Sequence, residues 1–349
     1  MRISIITGNR AEWGLLKPLV EKMKKDSFFD ISVIATGSHL SPYHGNTINE
    51  IEDAVKVEIL LESDSNVGMC KSFGLAAMSM TDAYQLTQPE MIMVLGDRYE
   101  VFAATISAYM MGIKIAHLHG GEQSGNVDDA FRDCITRMAD IHFVATKKAE
   151  QRIIKTYDNP WQIYQVGALG CEGLMKKWPK IWDNSLLIIF HPTTPIDEGI
   201  GNLLFALRKR QENKIFILAN VDAGGAEINR HIIDFCVRNS HCEYYQHFER
   251  SVFLRWLGNV KAIIGNSSAG IIEAPAVGTP TLDIGSRQKN REKAPTILTR
   301  CNTLEDIEAG IDQICQDSFR EYAGMTNVTF PYGHGQVCQK IIDILKKEK

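Results

Sequence analysis

Several common signatures are missing from this sequence, and each absence narrows the reading. Eight cysteines (Cys70, Cys134, Cys171, Cys236, Cys242, Cys301, Cys315, Cys338) are scattered with no C-x-x-C pair, which argues against a disulfide framework or a metal site and fits reduced thiols. There is no Walker motif, and Gly8-Asn-Arg10 is not a G-x-G-x-x-G fingerprint, so ATP and nicotinamide chemistry lack their usual signal and no cofactor is expected. Neither sign of charge dominates. With 38 Lys and Arg against 42 Asp and Glu, the net charge of -4 leaves no basic footprint, so nucleic acid is a poor partner. No apolar run has membrane-spanning length, no charged leader with a cleavage-like site opens the chain, and no low-complexity tract or short repeat is visible. These absences lead us to expect a cytoplasmic protein with no membrane partner.

What is present is a long alternation of strands and helices. At 349 residues, 44% hydrophobic, the chain can bury a sizeable core, and its length favours two domains. Strands are expected at Arg2 to Thr7, Asp30 to Thr36, Val55 to Leu60, Met91 to Leu95, Ile113 to Leu118, Ile141 to Ala145 and Ile163 to Val166. Helices are expected at Leu15 to Lys25 after a Gly8 to Gly14 loop, at Val67 to Leu86, at Tyr99 to Met111, and from Asp128-Asp129 onward. The series then begins again with Leu186 to Phe190, Ile215 to Ala219, Glu243 to Gln246, Val260 to Ile264 and Thr281 to Ile284. Strands separated by helix-length segments pair in parallel through right-handed crossovers. The expected fold class is therefore α/β, with two doubly wound, Rossmann-like domains facing a central cleft. Residues 1–168, with a final helix near 335–349 crossing back, form the first domain and 169–334 the second, with the glycines of Gly167 to Gly173 as linker.

In doubly wound sheets ligands sit beyond the carboxyl ends of the strands. Arg10, His39, Asp97, Arg98, His119 and Glu122 all fall just after expected strands. In the second domain, Ala262 to Ile264 runs into Gly265-Asn-Ser-Ser268 and a helix start, where backbone N–H groups and two hydroxyls can reach phosphate oxygens. Ser is also a preferred N-cap with nothing bound. Arg287 and Arg291 add guanidinium groups suited to a diphosphate, and Glu273 can accept from ribose hydroxyls; a solvated charged loop is an equally simple account of Lys289, Arg291 and Lys293. Asp97, Glu122, Asp128 and Asp129 are carboxylates that can act as general acid and base, although acids at a helix N-terminus are also simply stabilising.

Taken together, Thr7-Gly-Asn-Arg-Ala-Glu-Trp-Gly14, Gly37-Ser-His-Leu40, Leu95-Gly-Asp-Arg-Tyr-Glu100, His117-Leu-His-Gly-Gly-Glu122, Asp128-Asp129-x-x-Arg132, His191-Pro192, Gly265-Asn-Ser-Ser268 and Gly285-Ser-Arg-Gln288 resemble the hydrolysing UDP-N-acetylglucosamine 2-epimerase family. The resemblance spans nearly the whole chain. It implies an architecture similar to the two-domain nucleotide-sugar glycosyltransferases (GT-B), no metal or redox cofactor, and a homodimer or dimer of dimers. It also implies elimination of UDP to a 2-acetamidoglucal and rehydration to N-acetylmannosamine, for sialic acid-type synthesis. Residue by residue, it makes Asp97 and Asp128 catalytic acids, His191 the phosphate-side histidine, Glu273 the ribose contact, and His247 and Phe248 the region holding the uracil. Arg10, Ser38, His39, Arg98, Asp129, Arg132, Asn266, Ser267, Ser268, Gly270 and Arg287 fall in the motifs expected to bind the UDP-sugar. One departure stands out. Where several relatives read His-x-Glu-Gly-Gly-Glu, this chain has His119, so either His119 or Glu122 takes the role of the expected glutamate. The change also fits a different substrate, UDP-N,N'-diacetylbacillosamine, the legionaminic acid precursor. A glycosyltransferase of the same architecture would need an acceptor cleft, and a non-catalytic nucleotide-sugar-binding regulator would tolerate loss of Asp97 or Asp128.

Overall fold

The computed structural model describes all residues except 43–45, 60–64, 126–127, 157–161, 175–182, 194–198, 220–223, 326–329, 334 and 349. The chain forms two compact units: Met1–Gln123, Val127–Glu172 and Gly335–Lys349 make the first, and Ser124–Asn126 with Gly173–His334 the second.

The first unit runs β1 (Arg2–Thr7), α1 (Arg10–Lys24), β2 (Asp30–Thr36), β3 (Val55–Val57), α2 (Asn66–Thr87), β4 (Met91–Leu95), α3 (Tyr99–Met110), β5 (Lys114–Leu118), α4 (Asp128–Met138), β6 (Ile141–Val144), α5 (Lys147–Thr156) and β7 (Gln162–Gln165). The second runs β8 (Ser185–Ile189), α6 (Gly199–Arg208), β9 (Asn213–Ile217), α7 (Gly225–Arg238), β10 (Cys242–Tyr245), α8 (Arg250–Asn259), β11 (Ala262–Gly265), α9 (Ser268–Ile272), α10 (Ala274–Val277), β12 (Thr281–Ile284), β13 (Ile297–Arg300), α11 (Leu304–Ile314) and α12 (Asp317–Ala323). Helix α13 (Val337–Lys347) then returns to the first unit.

Both sheets are parallel. Their orders are β3-β2-β1-β4-β5-β6-β7 and β10-β9-β8-β11-β12-β13, so the winding reverses between β1 and β4 and between β8 and β11. Strands covered on both faces become near-continuous apolar runs. In β1, Ile3 and Ile5 enter the core shared with α1 and α13, while Ile6 enters the core of α2 and α3 on the other face.

Three local expectations change. Gly8 to Gly14 is not a loop: Asn9 caps α1 by accepting from the Glu12 N–H at 3.0 Å, and the helix starts at Arg10. The first unit extends four residues beyond 168, because Leu169 packs into the α1–α13 core and Glu172 binds Lys22 (2.7 Å) and the Cys338 N–H (3.2 Å). The strand expected from Val55 to Leu60 spans Val55–Val57, with Leu60 outside the described residues.

Candidate active site

Topology places the first set of residues at the β1/β4 reversal. Arg10, in the first turn of α1, grips Glu50 through Nη2 (2.8 Å) and Nε (3.1 Å). Ser38 donates its hydroxyl to the Gly8 carbonyl at 3.2 Å. His39 is fully buried between Thr7 and Thr47 hydroxyls at 3.0 and 2.8 Å, and burial lowers its pKa to about 4. Both of its ring nitrogens thus have threonine partners, which tie it to the end of β1.

Arg132 organises the carboxylates. From α4 its buried guanidinium donates to Asp97 Oδ2, to Asp129 Oδ1 at 2.7 Å and to the Glu122 carbonyl at 3.0 Å. One residue of α4 thereby gathers the β4 exit, the β5 exit loop and the first turn of its own helix, where Asp128 also sits. Arg98 turns to Glu100 instead (Nε to Oε1, 2.8 Å). Below them, His117 spans from the Gly96 carbonyl (2.8 Å) to the Thr136 hydroxyl (3.2 Å), and burial lowers its pKa to about 3, so it stays neutral.

His119 occupies the left-handed region at φ 62°, uncommon for a residue with a side chain. The Leu169 N–H donates to its Nε2 at 3.1 Å, so that nitrogen is an acceptor and the proton of the neutral ring sits on Nδ1, which faces Glu122 Oε1 at 3.5 Å.

The second set lies at the β8/β11 reversal. The Asn266 side chain accepts from the His191 N–H (2.7 Å) and donates to the His191 carbonyl (2.8 Å), while the Asn266 carbonyl accepts from Arg287 and Gln288, both at 3.1 Å. Asn266 is buried, so it acts as the peg on which His191 and Arg287 hang; the sequence suggested a ligand contact. Gly265, at φ 137°, has no room for a Cβ, which would lie 2.0 Å from the Ile189 carbonyl oxygen. Ser267 caps the five-residue α9, accepting from the Ala269 N–H at 3.4 Å, and Ser268 is its first residue. So short a helix carries a small dipole, and any anion binding falls to the hydroxyls and N–H groups themselves. Gly270 packs on Thr281, whose Cγ2 would stand 2.8 Å from an added Cβ; its glycine serves packing rather than a ligand. Glu273 pairs with Arg250 at 2.8 Å. His247 and Phe248 precede α8, with the Phe248 ring 4.6 Å from Tyr245 and stacked 6.3 Å from Trp256. Under the 285–291 loop, buried Asp283 binds Lys293 at 2.8 Å, which makes Lys293 an anchor and not a solvated charge.

Glu12, Glu100 and Arg250 escaped the sequence reading. The spacing of Glu12 three residues after Asn9 was the one available signal, because it is a capping spacing. Among the described residues no group of three or more His, Cys, Asp or Glu is arranged to hold a metal ion, and no helix is long and apolar enough to cross a membrane.

The family model described as UDP-N-acetylglucosamine 2-epimerase matches residues 21–346. A GDP/UDP-N,N'-diacetylbacillosamine 2-epimerase (hydrolyzing) from Campylobacter jejuni is 32% identical over 343 residues, covering 92% of this chain and 89% of the relative. A UDP-N,N'-diacetylbacillosamine 2-epimerase (hydrolyzing) from Legionella pneumophila is 29% identical, covering 99% and 95%. Among solved structures, the UDP-GlcNAc 2-epimerase from Neisseria meningitidis bound to UDP-GlcNAc superposes with a TM-score of 0.82 at 19% identity, over 99% of this chain and 100% of that one. With two doubly wound units and a family match across most of its length, the chain belongs to the UDP-N-acetylglucosamine 2-epimerase family.

Proposed function

We propose that the protein is a hydrolysing UDP-sugar 2-epimerase that converts a UDP-linked 2-acetamido sugar and water into UDP and the free 2-epimer. The observation that carries this reading is the Arg132-centred gathering of Asp97, Asp129 and the Glu122 loop at one strand-reversal point. Such a set suits the chemistry. The C2 proton is not next to a carbonyl, so it becomes removable as the C1–O bond to UDP breaks and positive charge develops at C1. Carboxylates stabilise that charge and one takes the proton, giving the 2-acetamidoglucal. Water then adds, with hydroxide to C1 and a proton to C2 on the opposite face.

In this scheme Asp97 and Asp128 are the acid–base pair, with Glu122 standing in for the expected glutamate. His119 supports that assignment: with Nε2 held by the Leu169 N–H, it orients Glu122 and is not itself the base. His191, Ser267, Ser268, Arg287 and Arg10 would bind and stabilise the departing diphosphate, Glu273 with its Arg250 partner the ribose, and Phe248 with His247 the uracil. His39, Ser38, Asn266 and Gly270 position these groups.

UDP-N,N'-diacetylbacillosamine is the preferred substrate, since both relatives described above carry that name; UDP-N-acetylglucosamine is the second reading, favoured by the ligand in the meningococcal structure. A cytoplasmic homo-oligomer belongs to the same proposal. Exposed Val67, Leu75, Met78 and Leu86 on α2, with Tyr109 and Met110 on α3, offer an apolar face for a second copy, and light scattering will read its mass. Chromatographic assay of UDP release from each sugar tests the function. Faster turnover of the diacetamido substrate is expected, and release from neither would refute the proposal.

A further inference from the structure

Two buried carboxyl groups flank the Gly8 turn, and the reaction scheme uses neither. Glu12 reaches back from the first turn of α1, where its Oε2 accepts the Gly8 N–H at 2.7 Å. That bond lies one residue outside the usual capping box, whose glutamate returns to the cap residue itself. Glu100 comes from α3 on the other side. Its Oε1 accepts from Arg98 Nε at 2.8 Å, while its Oε2 is buried with no hydrogen-bond partner among the described residues. Gly8 permits the meeting, because a Cβ there would lie 2.6 Å from Glu100 Cγ and 2.8 Å from Oε1. Glu12 is 8% exposed and Glu100 1%.

The charges facing this space do not balance two carboxylates. From the β4–α3 side come Asp97, Arg98 and Glu100. Arg132 already answers Asp97, which leaves Arg98 as the cation for the pair. Arg10, on the same helix as Glu12, is held by Glu50, and His39 on the Gly37–Leu40 3-10 turn is neutral between its two threonines. Two carboxylates in one desolvated space cannot both ionise without large cost, and one retains a proton.

We propose that Glu12 is a positioning residue that works as the neutral acid beside Glu100, and so locks the Gly8 turn that presents Arg10 to the β4 exit that presents Asp97. Burial, and then the neighbouring Glu100 charge, raise the Glu12 pKa to about 8, in keeping with this arrangement. Loss of the proton places two negative charges against Gly8 and loosens the link. The kinetic consequence rests on the proposed epimerase reading; the protonation itself does not.

The test uses the full-length protein labelled with 13C at glutamate side-chain carboxyls, titrated by NMR without substrate, beside the pH profile of UDP release. One glutamate carboxyl titrating near pH 8 is expected, lost in Glu12→Gln and shifted down in Glu100→Gln, which removes the neighbouring charge. The wild-type alkaline fall in kcat should share that midpoint and be displaced in Glu12→Gln, whose amide oxygen can keep the Gly8 contact without titrating. A role confined to capping would leave the pH profile unmoved. If no glutamate carboxyl titrates above about pH 6 in the wild type, or if the signal survives in Glu12→Gln, the inference fails whatever the substrate proves to be. A normal NMR titration in a protein that releases no UDP would instead sink the epimerase reading alone.

Discussion

Replacing Asn266 by alanine should damage the second unit in a calculable way. The side chain satisfies both backbone groups of His191, at 2.7 and 2.8 Å, in a region where Asn266 is 1% and His191 8% exposed. Leaving a buried backbone donor or acceptor unpaired costs about 1–3 kcal/mol, so two such groups amount to roughly 2–6 kcal/mol, and water reaching the rim favours the lower half. For a unit of this size that lowers Tm by roughly 5–15 °C. Calorimetry of the intact chain will show whether the second unit melts early, and titration calorimetry with UDP will show whether His191 and Arg287 have lost their common support. We expect UDP affinity to fall at least about tenfold, equivalent to about 1.4 kcal/mol. Asn266→Asp should not rescue it, since a carboxylate keeps the acceptor for the His191 N–H but sets a second acceptor against the His191 carbonyl. A melting profile and UDP affinity equal to wild type would refute the reasoning.

Arg132→Lys keeps the charge but cannot reach Asp97, Asp129 and the Glu122 carbonyl from one planar fork; kcat should fall at least about tenfold, with a smaller change in KM, whereas near-normal kcat would dismiss the hub. Gly265→Ala forces a Cβ to within 2.0 Å of the Ile189 carbonyl at a φ of 137°, which should cost about 2–6 kcal/mol in strain and overpacking, and an unchanged Tm would contradict the tight approach of β11 to β8. Stability should also depend on pH through Glu12. Its pKa is raised from 4.5 to about 8 on folding, so the stabilisation is complete below about pH 4.5 and is lost as pH rises toward 8, at up to about 1.4 kcal/mol per pH unit. Urea titrations across that range should show this slope in the wild type and not in Glu12→Gln; equal slopes would remove Glu12 as its source.

Two parallel sheets were legible because most of their strands are short apolar runs that end in glycine or a polar residue; β13 (Ile297–Arg300) was missed, and the order of the strands, set by long-range pairing, was not read. The candidate site residues were chosen on related grounds, since the carboxyl ends of parallel strands are where such a fold exposes side chains. What one dimension could not show was direction. His39 and Asp97 both follow strands, yet one turns into the core between two threonines and the other is gathered by Arg132. The Arg132 hub joins residues 35 positions apart, and the Asn266 peg joins residues 75 apart, so no local spacing announces either. Glu12 looked like part of a loop because Gly8 and Gly14 bracket it; the Asn9 cap starts the helix at Arg10 all the same.

The most direct test of the proposed reaction is proton NMR in D2O of the purified protein with UDP-N,N'-diacetylbacillosamine and, separately, UDP-N-acetylglucosamine. The account predicts free UDP together with a free manno-configured sugar carrying deuterium at C2, since the proton removed there is replaced from solvent. Release of UDP with an unlabelled, gluco-configured sugar would contradict the elimination and rehydration sequence, and a UDP-linked epimer would contradict hydrolysis.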